Sequence, residues 1–186
     1  TARVNTLVCV PMMVEDVASA LAEAGAARAA GAQLVEYRID RLFQGEGDEQ
    51  GIRDVLRLAA ETPVSCIITC RIQAEGGEYD GDEPSRLALF ERLGAADAPP
   101  RYIDVEFTAF TRSANVRQKV LLAVAHPKQP RDLTTGLILS AHDLGERPHN
   151  LLTLAHGMQS EDAARIVKVA FRARSLRDNL ELFDIL

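Results

Sequence analysis

The segment Leu34-Val35-Glu36-Tyr37-Arg38 (34–38) is a short apolar run that carries charges at alternate positions, and five further apolar runs follow or precede it. Helical stretches separate the runs, and their spacing of about 30 residues is that of a strand followed by a helix. Apolar strands that alternate with helices are typical of a parallel sheet covered by helices. The predicted strands are 6–10, 34–38, 65–70, 102–106, 136–140 and 166–170.

The intervals between these runs predict the helices. Val17, Leu21 and Ala24 recur at the spacing of one helical face, and Gly31 follows them as a stop. Ser175 is a candidate N-cap for a last helix that reaches residue 186. The other predicted helices cover 52–59, 87–93, 111–125 and 151–155. The pattern indicates an α/β chain of about six βα units, either in a (β/α)8 TIM barrel or in an open doubly wound sheet.

Length and composition bound the possible functions. The 186 residues suit a single domain over 1–186, and 47% hydrophobic residues are enough for a sizeable core. The net charge of −6 argues against nucleic acid or an anionic membrane as the main partner. No apolar run approaches the roughly 20 residues that cross a bilayer. Neither G-x-G-x-x-G after the first strand nor a P-loop is present, which removes the usual nucleotide-binding interpretation.

Cysteine usage indicates the compartment. Cys9, Cys66 and Cys70 lie inside apolar runs without a C-x-x-C, so we expect buried thiols in a reducing compartment. Residues 1–5 lack a signal-peptide pattern, so a cytoplasmic location is expected. The first residue is not Met, and six βα units are two fewer than a barrel of about 250 residues requires. We therefore expect a trimmed or processed start and a C-terminally incomplete barrel domain.

Lys168 is the most informative residue, because β-branched neighbours surround it in Ile166-Val167-Lys168-Val169. A lysine inside a parallel strand is expected to be desolvated, which favours the neutral amine that attacks ketones and aldehydes. The alternative is a strand-end lysine whose stem is buried and whose head reaches water.

His142 follows the fifth predicted strand, at the end where parallel α/β folds place their chemistry. Its imidazole suits a proton shuttle, and the alternative is a loop histidine that caps a helix or bonds to backbone. His126, His149 and His156 carry less weight. No set of His, Asp and Glu has convincing metal-ligand spacing, so no metal is expected.

Charged side chains recur at the ends of the predicted strands. Glu36, Arg38 and Asp40 share one face in strand geometry, strand 4 repeats the theme with Asp104 and Glu106, and strand 3 ends in Arg71. Charges on a buried strand must pair, so Glu36 is expected to pair with Arg38 or another neighbour. A structural ion-pair network explains these residues as well as a polar pocket for a hydroxylated carboxylic acid does.

Together these segments resemble the type I 3-dehydroquinate dehydratase family, the Schiff-base enzymes of the shikimate pathway. The resemblance covers nearly the whole chain. The matching pieces, in order, are Val8-Cys9-Val10-Pro11 with Met13, Glu36-Tyr37-Arg38-Ile39-Asp40, Thr69-Cys70-Arg71 with Glu75-Gly76-Gly77, Tyr102-Ile103-Asp104-Val105-Glu106, Ser140-Ala141-His142-Asp143 and Val167-Lys168-Val169-Ala170.

The resemblance implies a (β/α)8 barrel that dehydrates the small molecule 3-dehydroquinate to 3-dehydroshikimate without a metal or organic cofactor. It implies that Lys168 forms the imine, that His142 is the general acid and base, and that Glu75 holds His142. It further implies that Glu36, Arg38 and Arg71 bind substrate oxygens. A homodimer and a fusion to shikimate dehydrogenase are known arrangements in that family and are kept as expectations.

One departure from the family is clear. Nothing here matches the family's substrate-binding arginine of strand 7 or the loop before strand 8. Two alternatives therefore stay open: another class I Schiff-base enzyme of the aldolase or transaldolase type, and a truncated or degenerate barrel that serves as a scaffold. The Arg71 and Glu75-Gly76-Gly77 segments and the His142-Asp143 pair argue against the aldolase.

Overall fold

The computed structural model of the chain describes residues 6–129 and 134–185, so the predicted features at 1–5 and at 186 lie outside the described residues. The strands are β1 (Cys9–Met13), β2 (Leu34–Arg38), β3 (Cys66–Thr69), β4 (Tyr102–Glu106), β5 (Gly136–Asp143) and β6 (Ala164–Phe171). The α-helices are α1 (Val17–Ala29), α2 (Glu49–Glu61), α3 (Glu83–Gly94), α4 (Phe107–Phe110), α5 (Ala114–Val124), α6 (Leu151–Gln159) and α7 (Leu176–Leu180), with 3₁₀ turns at Gln73–Glu75 and Glu181–Asp184.

The six strands form one parallel sheet in the order β1-β2-β3-β4-β5-β6. Spatial order equals chain order, whereas a doubly wound sheet reverses direction at a switch point. The sheet is also curled, because Lys168 Nζ on β6 lies 2.7 Å from Glu36 Oε1 on β2, although three strands intervene. The architecture is therefore an α/β half-barrel, and closure into a full barrel stays a prediction.

Alternation along the strands divides the sheet into two faces. The outer face carries apolar residues such as Val35, Ile68 and Leu139, which pack into the main core under the helices. The inner face begins with a separate apolar cluster at the amino ends of the strands. Two residues further towards the carboxyl ends of β2 and β4, Glu36 and Asp104 begin the polar part of the interior. The members of the inner cluster are Leu34, Ile67, Tyr102 and Ile138.

The prediction for the first strand was displaced by three residues, because β1 begins at Cys9 and includes Pro11. The main-chain groups of Val8 and Val14 form hydrogen bonds with β2, so the main-chain groups of even-numbered residues in β1 are directed towards β2. Pro11 is odd-numbered, so the backbone nitrogen that lacks a hydrogen faces away from β2 and no hydrogen bond to β2 is lost. Such a position on an edge strand tolerates proline. The same placement corrects the expectation for Cys9, whose side chain is exposed. Cys66 is buried, and burial raises the pKa of its thiol to about 12.

Two helical predictions were also refined. The interval 111–125 contains only α5, preceded by the one-turn helix α4 directly after β4. Ser175 is an N-cap as predicted, since its Oγ accepts from the main-chain N–H of Asp178 at 3.3 Å. The helix that it starts is short, and a 3₁₀ turn replaces it at Glu181–Asp184. Among the described residues, no helix combines the length and the apolarity that a bilayer crossing requires.

The close approach of α3 and α5 depends on Gly94. A Cβ at this position would overlap the carbonyl oxygen of Ala123, whereas a Cβ at Gly25 in α1 would meet open space. We expect Gly94→Ala to lower the free energy of unfolding by about 1–3 kcal/mol through overpacking. Gly25→Ala is the matched control and should raise it by about 0.5–1 kcal/mol, since alanine is the better helix former. Urea unfolding followed by circular dichroism measures both, and equal effects would contradict the packing argument.

Candidate active site

The inward-facing charges of three strands meet at Lys168. Its Nζ lies 2.7 Å from Glu36 Oε1 and 3.2 Å from Asp104 Oδ2. Both carboxylates are buried, and Thr69 Oγ1 donates to the same oxygen of Glu36 at 2.8 Å. Of the two partners expected for Glu36, Arg38 or another neighbour, the structure shows the second, because Glu36 pairs with Lys168 of β6 and Arg38 pairs with Asp40.

The environment of Lys168 is more open than the sequence predicted. Its side chain is 31% exposed, because β6 is the outermost described strand on its side of the sheet. The amine borders a cavity of about 900 Å³ between β6 and β1, which Pro11 and Ile138 also line. In this chain β6 is only partly buried, so its geometry favours the alternative of a lysine whose stem is buried and whose head reaches water. The amine is held by two carboxylates and open to a cavity on its remaining side.

Asp104 is the buried centre of the cluster. Its Oδ1 accepts from Arg71 Nη2 at 2.8 Å and from Ser140 Oγ at 2.5 Å, while its Oδ2 faces Lys168. Burial alone would raise the pKa of this carboxyl, but Arg71 and Lys168 outweigh burial and hold the pKa below its ordinary value. Asp104 is therefore a fixed negative charge beside the amine.

Two buried arginines, Arg71 and Arg86, form ion pairs with the carboxylates of β4. Arg71 is only 2% exposed and also lies 3.2 Å from Glu106 Oε1. Arg86 of α3 donates to Glu106 Oε2 at 2.6 Å and to the carbonyl of Cys70 at 2.7 Å. Sequence reasoning missed Arg86, although its position four residues before Phe90 places it on the apolar face of α3. The structure thus places Arg71 inside a structural network, and its role in binding a substrate oxygen stays a prediction.

Arg38 forms a two-bond ion pair with Asp40 at the carboxyl end of β2. The distances are 2.9 Å from Nε to Oδ1 and 2.8 Å from Nη2 to Oδ2. Asp40 also accepts from the main-chain N–H of Glu78 at 3.0 Å. Burial raises the pKa of Asp40, but the bonds from Arg38 outweigh it and the pKa lies below its usual range. The Arg38 side chain is partly exposed, so its guanidinium is available at the rim.

His142 and Glu75 form a second group at the same end of the sheet. Glu75 is the last residue of the 3₁₀ turn after β3, and Gly76 ends that turn with a φ of 78°. Glu75 Oε2 accepts from the main-chain N–H of His142 at 3.0 Å and lies 3.2 Å from its Nδ1. His142 lies within β5 rather than in a loop after it, because β5 continues through Asp143.

The strand register relates the two groups. Ser140 pairs with Lys168 and His142 pairs with Ala170, so His142 occupies the next inward-facing position towards the carboxyl ends. The structure therefore brings the predicted residues Lys168, Glu36, His142 and Glu75 to one end of the half-barrel. Within residues 6–129 and 134–185, it places no group of three or more His, Cys, Asp or Glu side chains where they could hold a metal ion.

Comparisons with known proteins identify the family of the chain. Residues 8–186 match the family model described as type I 3-dehydroquinase. A 3-dehydroquinate dehydratase of Methanosarcina mazei is 32% identical over 158 residues, which cover 83% of this chain and 60% of that protein. A bifunctional 3-dehydroquinate dehydratase/shikimate dehydrogenase of Arabidopsis thaliana is 30% identical over 185 residues, which cover 97% of this chain and 27% of that protein.

Solved structures show the same fold. The 3-dehydroquinate dehydratase of Geobacillus kaustophilus superposes with a TM-score of 0.75 at 25% identity, covering 98% of this chain and 68% of that one. This chain spans about 60% of the length of its Methanosarcina relative. Because the family model matches almost every residue, the resemblance seen in the sequence is confirmed: the chain belongs to the type I 3-dehydroquinase family.

Proposed function

We propose that this chain carries the dehydratase site that converts 3-dehydroquinate to 3-dehydroshikimate through a Schiff base on Lys168. The observation that carries the proposal is an amine held between Glu36 and Asp104, with the His142–Glu75 pair one inward-facing position further towards the carboxyl ends of the strands. Family membership supports this reaction over a sugar-phosphate aldolase.

Imine formation uses the lysine and its two carboxylates. Lys168 Nζ gives up a proton, for which Glu36 Oε1 at 2.7 Å is the nearest acceptor, and then attacks the substrate ketone carbon. The carbonyl oxygen leaves as water, and a protonated imine remains. Asp104 keeps its negative charge because Arg71 holds it ionised, so it stabilises the cationic imine nitrogen.

Elimination uses the histidine. In this proposal Nδ1 of His142 donates a hydrogen bond to Glu75. Nε2 is then unprotonated and acts as the base that removes the proton from the carbon next to the imine carbon. The electron pair moves to the imine nitrogen and returns to expel the hydroxyl group, which takes a proton from His142 and departs as water. Hydrolysis of the imine consumes one water and releases the enone product, so the net reaction loses one water.

Substrate binding is assigned to the predicted residues at the rim and floor. Arg38 offers a partly exposed guanidinium and Glu36 a carboxylate beside the reacting carbon, which suits a hydroxylated acid. Arg71, which is paired with Asp104, is assigned the third contact. The fused Arabidopsis relative supports a comparable fusion here, and we retain fusion, homodimer formation and a cytoplasmic location as proposals.

Trapping with sodium borohydride tests the nucleophile cleanly, because Lys119 and Lys128 are the only other lysines in the sequence. We expect 3-dehydroquinate and borohydride to give one reduced adduct, mapped by mass spectrometry to Lys168. Lys168→Ala should abolish the adduct, whereas the matched control Lys119→Arg should keep it. An adduct that persists in Lys168→Ala would refute the assignment, and a folded wild-type chain without any adduct would favour the non-catalytic scaffold.

The role of His142 is tested by separating imine formation from elimination. We expect His142→Ala to retain the borohydride adduct but to slow formation of the enone by about 10²–10⁴-fold, the usual contribution of a general acid–base group. Enone absorbance measures the rate. The control is His149→Ala, whose imidazole is exposed and lies 3.6 Å from Glu146 away from the cavity. An unchanged rate in His142→Ala would remove that residue from the mechanism.

A further inference from the structure

We propose that Thr108 is a positioning residue that orients Glu75 and thereby sets the tautomer of His142. The inference rests on the proposed function, because it concerns the same acid–base pair. Thr108 lies in the one-turn helix α4, which follows β4 directly, and its Oγ1 donates to Glu75 Oε1 at 2.8 Å. The histidine, the glutamate and the threonine therefore join the ends of β5, β3 and β4.

The two oxygens of Glu75 are divided between these partners. Oε1 accepts from Thr108, and Oε2 faces both the main-chain N–H and the Nδ1 of His142. Glu75 is buried, so an oxygen that lost its donor would be left unsatisfied away from water. The hydroxyl of Thr108 thus anchors one oxygen and leaves the other directed at the imidazole. A bond from a hydroxyl to a carboxylate is charge-assisted and stronger than a neutral one.

The arrangement of donors determines where the imidazole proton lies. An ionised carboxylate only accepts, so Nδ1 of His142 must donate when it bonds to Glu75. In the neutral ring, Nε2 then carries the lone pair that a base requires. Loss of the Thr108 bond would let the carboxylate rotate and weaken the preference for this tautomer.

The helix that carries Thr108 is anchored independently of this bond. Ala109 and Phe110 are buried in the main core, whereas the Thr108 side chain is exposed on its other side. Thr111 on the same turn bonds only within its own helix, from Oγ1 to the carbonyl of Phe107 at 2.8 Å. Substitution of Thr108 therefore removes the bond to Glu75 without opening the core, and Thr111 provides a matched control.

Nuclear magnetic resonance of the ring nitrogens tests the inference directly. The His142 signals are assigned by comparison with His142→Asn, since the chain has four histidines. We expect wild type, Thr108→Ser and Thr111→Val to show His142 protonated at Nδ1 when neutral. Thr108→Val, which keeps the shape but lacks the donor, should show a mixture of tautomers. A wild-type pattern in Thr108→Val, or a loss that Thr108→Ser does not restore, would overturn the proposal.

Kinetics provide the second readout. Loss of one hydrogen bond predicts that Thr108→Val lowers kcat for enone formation about 3- to 10-fold, with KM and the yield of the Lys168 adduct unchanged. Thr108→Ser should restore the rate. The two proposals fail separately: a wild-type chain without an adduct refutes the dehydratase function, while the ring-nitrogen signals still decide the role of Thr108.

Discussion

The candidate site depends on one buried carboxylate, that of Asp104. Its two oxygens hold Ser140 of β5, Lys168 of β6 and Arg71 just after β3, so a side chain of β4 links these segments across the inside of the sheet. Removing Arg71 would leave the buried charge of Asp104 with only the partly exposed Lys168 as its partner, and breaking a buried ion pair costs several kcal/mol. The ion pair from Lys168 to Glu36 extends the network to β2 and holds the sheet in its curled shape.

The chemistry is divided between two supports of different kinds. Lys168 and Asp104 stand on hydrogen-bonded strands, whereas Glu75 stands on a short turn. Strand positions hold the proposed nucleophile and its counter-charge rigidly, as the proposed covalent chemistry requires. The turn places a carboxylate against His142 from outside the sheet, where side chains of the neighbouring loops can adjust it. The amine of Lys168 and the His142–Glu75 pair are thus positioned by separate sets of contacts.

The alternation of apolar runs was sufficient to predict the parallel sheet, and the limits of β2 and β4 agree with the prediction residue for residue. The errors in the strand predictions have one physical cause: the residues of a strand do not show which strands pair with it. Pro11 marks a strand end only if both edges are paired, and Lys168 is desolvated only if β6 is central. His142 and Asp143 read as a loop because they are polar, yet β6 pairs with them. Arg86 was readable from its helical spacing, whereas its partner Glu106 depends on the fold.

The sequential strand order has a consequence for biosynthesis. Each strand can pair with the strand made just before it, so the sheet can grow from the amino end without waiting for distant segments. Contacts that skip a strand are the exceptions, and among the described residues the contact between Glu36 and Lys168 spans the largest separation, 132 residues. At about 5–20 residues per second, a ribosome takes roughly 7–26 s to add that length. During this interval Glu36 faces the growing interior without its lysine, and it gains that partner only after helices α1 to α6 have been made.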